Sequence, residues 1–140
     1  MKIMAIDYGT KRTGVAVSDE SGMLARPLTT IAAEATESLL AALAAIIAEH
    51  RPSALVVGNP RRLDGTPGTH AAAVEALAEA LRARVALPVT LWDEALTTVE
   101  AHARLLEGGA RRRKRRTDID QAAAAVLLQD FLDHRPRTAP

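Results

Sequence analysis

The chain has 140 residues, no cysteine, three aromatic residues and a formal net charge of +1. That length suits one domain that buries a core without help, and the lack of cysteine excludes a disulfide framework and thiolate zinc centres and fits a reducing compartment. Only four apolar residues separate Lys2 from Asp7, too few for a secretory h-region, and no run approaches a membrane span, so a soluble cytoplasmic protein with no membrane contact is expected. Residues 1–140 are read as a single domain. Ile3 to Ile6 is a continuous apolar run, the pattern of a strand covered on both faces, and the first strand is placed at Lys2–Asp7. The short turn "YGTKR" makes the next strand, Thr13–Ser18, its antiparallel partner. A third strand falls within Leu24–Ile31, where Pro27 confines it to an edge or a strand end.

Glu34–His50 carries Leu39, Leu43, Ile46 and Ile47 at helical spacing and is followed by Pro52 as a stop signal. Ala54–Val57 reads as a buried strand, and "GNPRRLDGTPG", Gly58–Gly68, as a loop. Thr69–Val85 is a second helix with Val74, Leu77 and Leu81 on one stripe, and Val89–Asp93 a further strand. Thr97–Glu100 has capping-box spacing, which predicts a helix over Val99–Glu107 ending at Gly108 and Gly109. A basic loop and a last helix, Asp118 to about Asp133, complete the chain. The alternation of strand and helix favours an α/β fold.

The small net charge hides a local block. Arg111, Arg112, Arg113, Lys114, Arg115 and Arg116 supply six positives, and the other 134 residues carry a net −5. Such a block grips phosphate through counterion release; the plain alternative is a solvated loop. Three aromatic residues, Tyr8, Trp92 and Phe131, are too few for a base-stacking platform, so any nucleic acid is held by its backbone.

Acids recur where elements begin or end: Asp7, then Asp93 and Glu94, then Asp118 and Asp120. Asp7 lies at the carboxyl edge of its strand, where ligands collect in open α/β sheets, although an Asp there also serves simply to start a turn at Gly9. Carboxylates from three termini suit hard cations such as Mg²⁺ or Mn²⁺, and paired ions of this kind assist in-line displacement at phosphorus. At the last helix, Asp120 shares its face with Ala123, Ala124, Leu127 and Phe131, whereas Asp118 shares a mixed face with Gln121, Ala122, Ala125 and Gln129. Asp120 is therefore preferred, because helix-dipole or capping roles do not explain an acid on an apolar face. Between Asp93 and Glu94 the residues alone leave the choice open. The four histidines are dispersed without ligand spacing, and no nucleophile elbow or Walker lysine pattern is present.

These residues resemble one family along nearly the whole chain. "AIDYGTKRTGVAVSD" at Ala5–Asp19, "VVGNPRRLDGTPG" at Val56–Gly68, "DEALTTVEA" at Asp93–Ala101 and "DIDQAAAAVLLQDFL" at Asp118–Leu132 follow the order of the YqgF or RuvX family, bacterial proteins described as Holliday junction resolvases or pre-16S rRNA nucleases. The resemblance implies an RNase H-like fold, a five-stranded mixed sheet with flanking helices. It also implies catalytic, metal-holding acids at Asp7, Glu94 and Asp120, with Asp93 and Asp118 as lesser candidates. Ala95 stands where the family's "DERLT" pattern has an arginine; Arg61, Arg62 or the basic run are candidates for the missing positive group. Lys11 and Arg12 join these as residues expected to bind nucleic acid.

The leading expectation is a nuclease dependent on Mg²⁺ or Mn²⁺ that acts on structured nucleic acid, at the 5′ end of pre-16S rRNA in ribosome biogenesis. The alternative substrate is branched DNA, the Holliday junction of recombination and repair, which would call for a homodimer. Two further classes are a non-catalytic nucleic-acid-binding assembly factor and an ATP-binding relative of the actin and sugar-kinase superfamily, whose first phosphate motif "DYGTKRTG" also resembles. The last needs two such domains around ATP, and 140 residues hold one.

Overall fold

A computed structural model of the chain describes residues 1–9, 11–33, 35–61, 71–95 and 116–135. Five strands, β1 (Ile3–Asp7), β2 (Arg12–Ser18), β3 (Ala25–Ala32), β4 (Ala54–Arg61) and β5 (Val89–Ala95), form one mixed sheet in the order β3-β2-β1-β4-β5. Three described helices flank it: α1 (Thr36–His50), α2 (Ala71–Arg84) and α3 (Arg116–His134). β1 lies at the centre, antiparallel to β2 and parallel to β4. This is the five-stranded arrangement expected from the sequence.

The continuous apolar run of β1 is explained by cover on both sides. Met4 and Ile6 join Leu55, Val57, Leu39, Leu43, Val74 and Leu81 in one core under α1 and α2. Ile3 and Ala5 join Ala16, Val56, Ala124, Leu127 and Leu128 in a second core under α3. Burying each large side chain of this kind contributes roughly 1.5–3 kcal/mol. The central strand is thereby clamped between two cores, and its carboxyl end is held in place. Among the described residues no helix is long and apolar enough to cross a membrane.

β3 is the edge strand that Pro27 called for, and its pairing with β2 shifts register between Val15 and Ala16. α1 ends as Arg51 turns into the left-handed region at φ 50°, its N–H donating to the Ile47 carbonyl, with Pro52 barring continuation.

Three expectations change. The segment read as a loop from Gly58 continues as strand through Arg61, because Gly58, Asn59, Pro60 and Arg61 pair with Trp92, Asp93, Glu94 and Ala95 of a β5 that also runs two residues beyond its expected end. The register with β1 ends at Ile6 and Val57, so Pro60 lies past that ladder, where a missing N–H is tolerated. Arg116, assigned to the basic loop, is instead the first residue of α3. The face of α3 that carries Gln121, Ala122, Ala125 and Gln129, read as mixed, is packed: both alanines are buried, and Gln129 accepts from the Ala25 N–H and donates to the Met23 carbonyl. The helix expected over Val99–Glu107 and the Thr97–Glu100 capping box lie outside the described residues.

Asp19 organises the turn between β2 and β3. The Met23 N–H, the Ser21 hydroxyl and the Leu24 N–H all donate to its carboxylate and hold its pKa below the usual aspartate value. A lowered folded-state pKa gives stabilisation that is present above the unfolded value and lost as pH falls through the folded one. In urea unfolding, the stability gap between wild type and Asp19→Asn is therefore expected to be larger at pH 7 and to narrow as pH falls below the ordinary aspartate pKa of about 3.9.

Candidate active site

Asp7 is the last residue of the central strand, and its register partner on β2 is Gly14. Positions i and i+2 of a strand share a face, so Asp7 falls on the face of Ile3 and Ala5, beneath α3. Gly14 shares its face with Ala16, which packs in that same core. The backbone of α3 comes down directly on this glycine. A Cβ built on Gly14 would lie 2.0 Å from the Asp120 carbonyl oxygen and 2.6 Å from its carbon. The head of α3 thus rests on the residue paired with Asp7. The two acids are brought to one place by a strand register and a backbone contact.

Arg12 adds a third group. Its Nε donates to Asp120 Oδ2 at 2.8 Å, with the two side chains 28% and 30% exposed. Arg12 and Gly14 share strand parity, so the guanidinium rises on the face where α3 begins. Gly9 closes the turn that delivers it: a Cβ there would come within 2.3 Å of the Arg12 carbonyl oxygen. The glycine turn is a tight hairpin built around a site residue.

At the other end of the site, Asn59 pairs with Asp93 and Pro60 with Glu94. By backbone parity Glu94 belongs with Trp92, whose ring meets Phe131 of α3 edge-on at 5.2 Å and 89° and whose Nε1 donates to Asp130 Oδ2 at 2.8 Å. Asp93 belongs with Leu91, which packs in the α1/α2 core. Strand parity therefore groups Glu94 with Asp7 and separates Asp93 from both. Arg61 is the register partner of Ala95.

Of the expected site residues, the structure pairs Arg12 with Asp120 and seats the Asp120 backbone on Gly14, the register partner of Asp7, while Glu94 pairs with Pro60 at the end of β5. Asp118 lies in the first turn of α3 and Arg116 at its start. Lys11 is exposed in the β1–β2 turn. Arg62 and 111–115 lie outside the described residues. Among the described residues no group of three or more acidic or histidine side chains converges. Sequence reasoning missed Gly14 and the ion pair of Arg12 with Asp120. A glycine inside the strand "TGVAVS" was the available signal, since glycine in a strand often marks close approach of another backbone.

A mixed five-stranded sheet with an acid ending its central strand and another at the head of a helix laid across it is the RNase H-like architecture of nucleases and resolvases. RuvC of Thermus thermophilus, solved in complex with Holliday junction substrate, shares this fold, with a TM-score of 0.60 over 96% of each chain at 17% identity. The chain belongs to the RuvX family, described as Holliday junction resolvase, whose model matches residues 1–134. It is 44% identical to a protein of Lachnospira eligens over 98% of this chain and 100% of that one, and 48% identical to one of Moorella thermoacetica over 95% of each. Both relatives are named "Putative pre-16S rRNA nuclease".

A methyl group at Gly14 cannot be accommodated without moving the helix, because the atoms it would meet are backbone. Gly14→Ala is expected to cost about 1–3 kcal/mol in unfolding free energy and on the order of 10²-fold in cleavage rate, the loss that a misplacement of about 1 Å can bring even from a mutation outside the chemistry. Chemical denaturation and a single-turnover cleavage assay measure the two losses. Cleavage at the wild-type rate by Gly14→Ala would show that the helix seat does not set the site.

Proposed function

We propose that this protein is a divalent-metal-dependent phosphodiester nuclease and that its substrate is the 5′ end of pre-16S rRNA. The observation that carries the reading is the seating of Asp120 on Gly14, the register partner of Asp7. Family membership and the names of relatives more than 40% identical along nearly their whole length support the substrate. A second reading, cleavage of a four-way DNA junction, is supported by the family's description and by the RuvC fold.

The donor set fits a hard cation. Asp7 and Asp120 offer carboxylate oxygens, the chain has no cysteine, and Asp120 Oδ1 makes no hydrogen bond among the described residues while Oδ2 is held by Arg12. Asp7, Asp120 and Glu94 are the residues that would hold Mg²⁺ or Mn²⁺. When bound, such an ion supplies Lewis-acid stabilisation of phosphoryl oxygens and favours deprotonation of the attacking water.

The chain's own residues supply position. β1 fixes Asp7 through two cores, and α3 carries Asp120 to it. In the reaction, water oxygen bonds to phosphorus in line with the leaving oxygen, the opposite P–O bond breaks, and the leaving oxygen takes up a proton. Arg116 at the start of α3 and the basic residues 111–115 before it hold the flanking phosphates, with a salt-dependent affinity.

Asp7→Asn removes one charged donor and is expected to lower cleavage more than about 100-fold, beyond the range seen for residues that merely support a metal ligand, with circular dichroism unchanged. Precursor 16S rRNA and a four-way DNA junction, assayed side by side with Mg²⁺ or Mn²⁺, separate the two substrates; trimming of the rRNA and survival of the junction is the expected pattern. Chelation with EDTA should stop turnover and leave nucleic-acid binding in place. Cleavage at the wild-type rate by purified Asp7→Asn protein contradicts the assignment.

A further inference from the structure

Arg12 is engaged along only part of its guanidinium. Its Nε donates to Asp120 Oδ2 at 2.8 Å, and among the described residues neither of its two amino groups makes a hydrogen bond. The side chain is 28% exposed, so the group is neither buried in a structural ion pair nor loose on the surface. Its backbone is fixed as well: Arg12 starts β2, pairs with Ala32 on β3, and its carbonyl closes against Gly9. Guanidinium carries five N–H donors in a rigid plane, and the geometry of its paired amino groups matches two oxygens of a phosphate.

We infer that Arg12 is a two-ended link within the site: through Nε it orients the Asp120 carboxylate, and through its amino groups it binds a phosphate oxygen of the substrate strand. The nucleic-acid backbone is the ligand class, because a phosphodiester is the anion that the site is built to meet. The inference rests on the nuclease reading. It predicts that binding of the strand and the placement of a catalytic acid are coupled through one side chain. A lysine at this position keeps the charge and can meet a phosphate, but it is a point donor without the planar fork and cannot serve both ends in the same geometry.

The test compares wild type, Arg12→Gln and Arg12→Lys. Binding of the precursor rRNA is measured in EDTA between about 50 and 200 mM salt, where each phosphate contact to a single strand contributes roughly 0.7 to the slope of log K against log salt. Turnover at saturating RNA is measured with Mn²⁺. Arg12→Gln is expected to flatten the slope by about that one contact and to lower kcat at least tenfold; the removal of a residue that supports a metal ligand typically costs 10–100-fold. Arg12→Lys is expected to keep the slope and KM and still lose kcat, a split that a general loss of fold does not produce. An unchanged slope in Arg12→Gln overturns the phosphate contact, and wild-type kcat in Arg12→Lys overturns the positioning of Asp120. Should Arg12→Gln fail to fold, Arg12→Met supplies the salt slope in its place, and Arg12→Lys still decides the positioning role. Absence of salt-dependent RNA binding by the wild-type chain overturns the nuclease reading and this inference together, whereas wild-type binding and cleavage with unaltered variants overturn this inference alone.

Discussion

The contact between the backbone of α3 and Gly14 is the constraint on which the site depends. Two acids more than a hundred residues apart in sequence share a site only if the helix that carries one can approach the strand that carries the other. Any side chain at position 14 would stand in the way, since its Cβ would fall 2.0 Å from the Asp120 oxygen. Gly14 is also the register partner of Asp7. One missing methyl group therefore fixes both the depth of the helix and its position along the central strand. The cores on either side of β1 keep that strand from adjusting, and close-packed interiors pass displacement on instead of absorbing it.

The ion pair between Arg12 and Asp120 has a different character. Both side chains are partly exposed, and pairs with this much solvent contact contribute about 0–1 kcal/mol to stability. Its value lies in orientation. One carboxylate oxygen is held by a donor whose own backbone is locked into the sheet and against Gly9. The hairpin turn, the strand it begins and the head of the last helix thus converge on a single carboxylate.

Much of this was legible in the residues. Ile3 to Ile6 announced a doubly covered strand, and Asp7 marked its carboxyl end. Pro27 placed β3 at an edge. Other features depend on tertiary pairing that no local pattern carries. "GNPR" has the composition of a loop, yet β5 recruits it as strand because the ladder bonds of four successive pairs outweigh its turn propensity. Gln121 and Gln129 made one face of α3 look mixed, but Gln129 ties α3 to the β2–β3 turn, and Ala122 and Ala125 on that face are buried. The choice between Asp93 and Glu94 rests on the family resemblance, since neighbouring acids at a strand end carry no local pattern that separates them.

Asp7 and Asp120 are proposed to serve one metal site. A double-mutant cycle on Mn²⁺ affinity tests it most directly, with Asp7→Asn, Asp120→Asn and the double variant titrated in the absence of nucleic acid. Residues that share a ligand couple, whereas distant independent sites add to within about 0.5 kcal/mol. Each single variant is expected to weaken Mn²⁺ binding, and the double variant to be little weaker than either. Additive losses, or Mn²⁺ affinity untouched by either substitution, would contradict it.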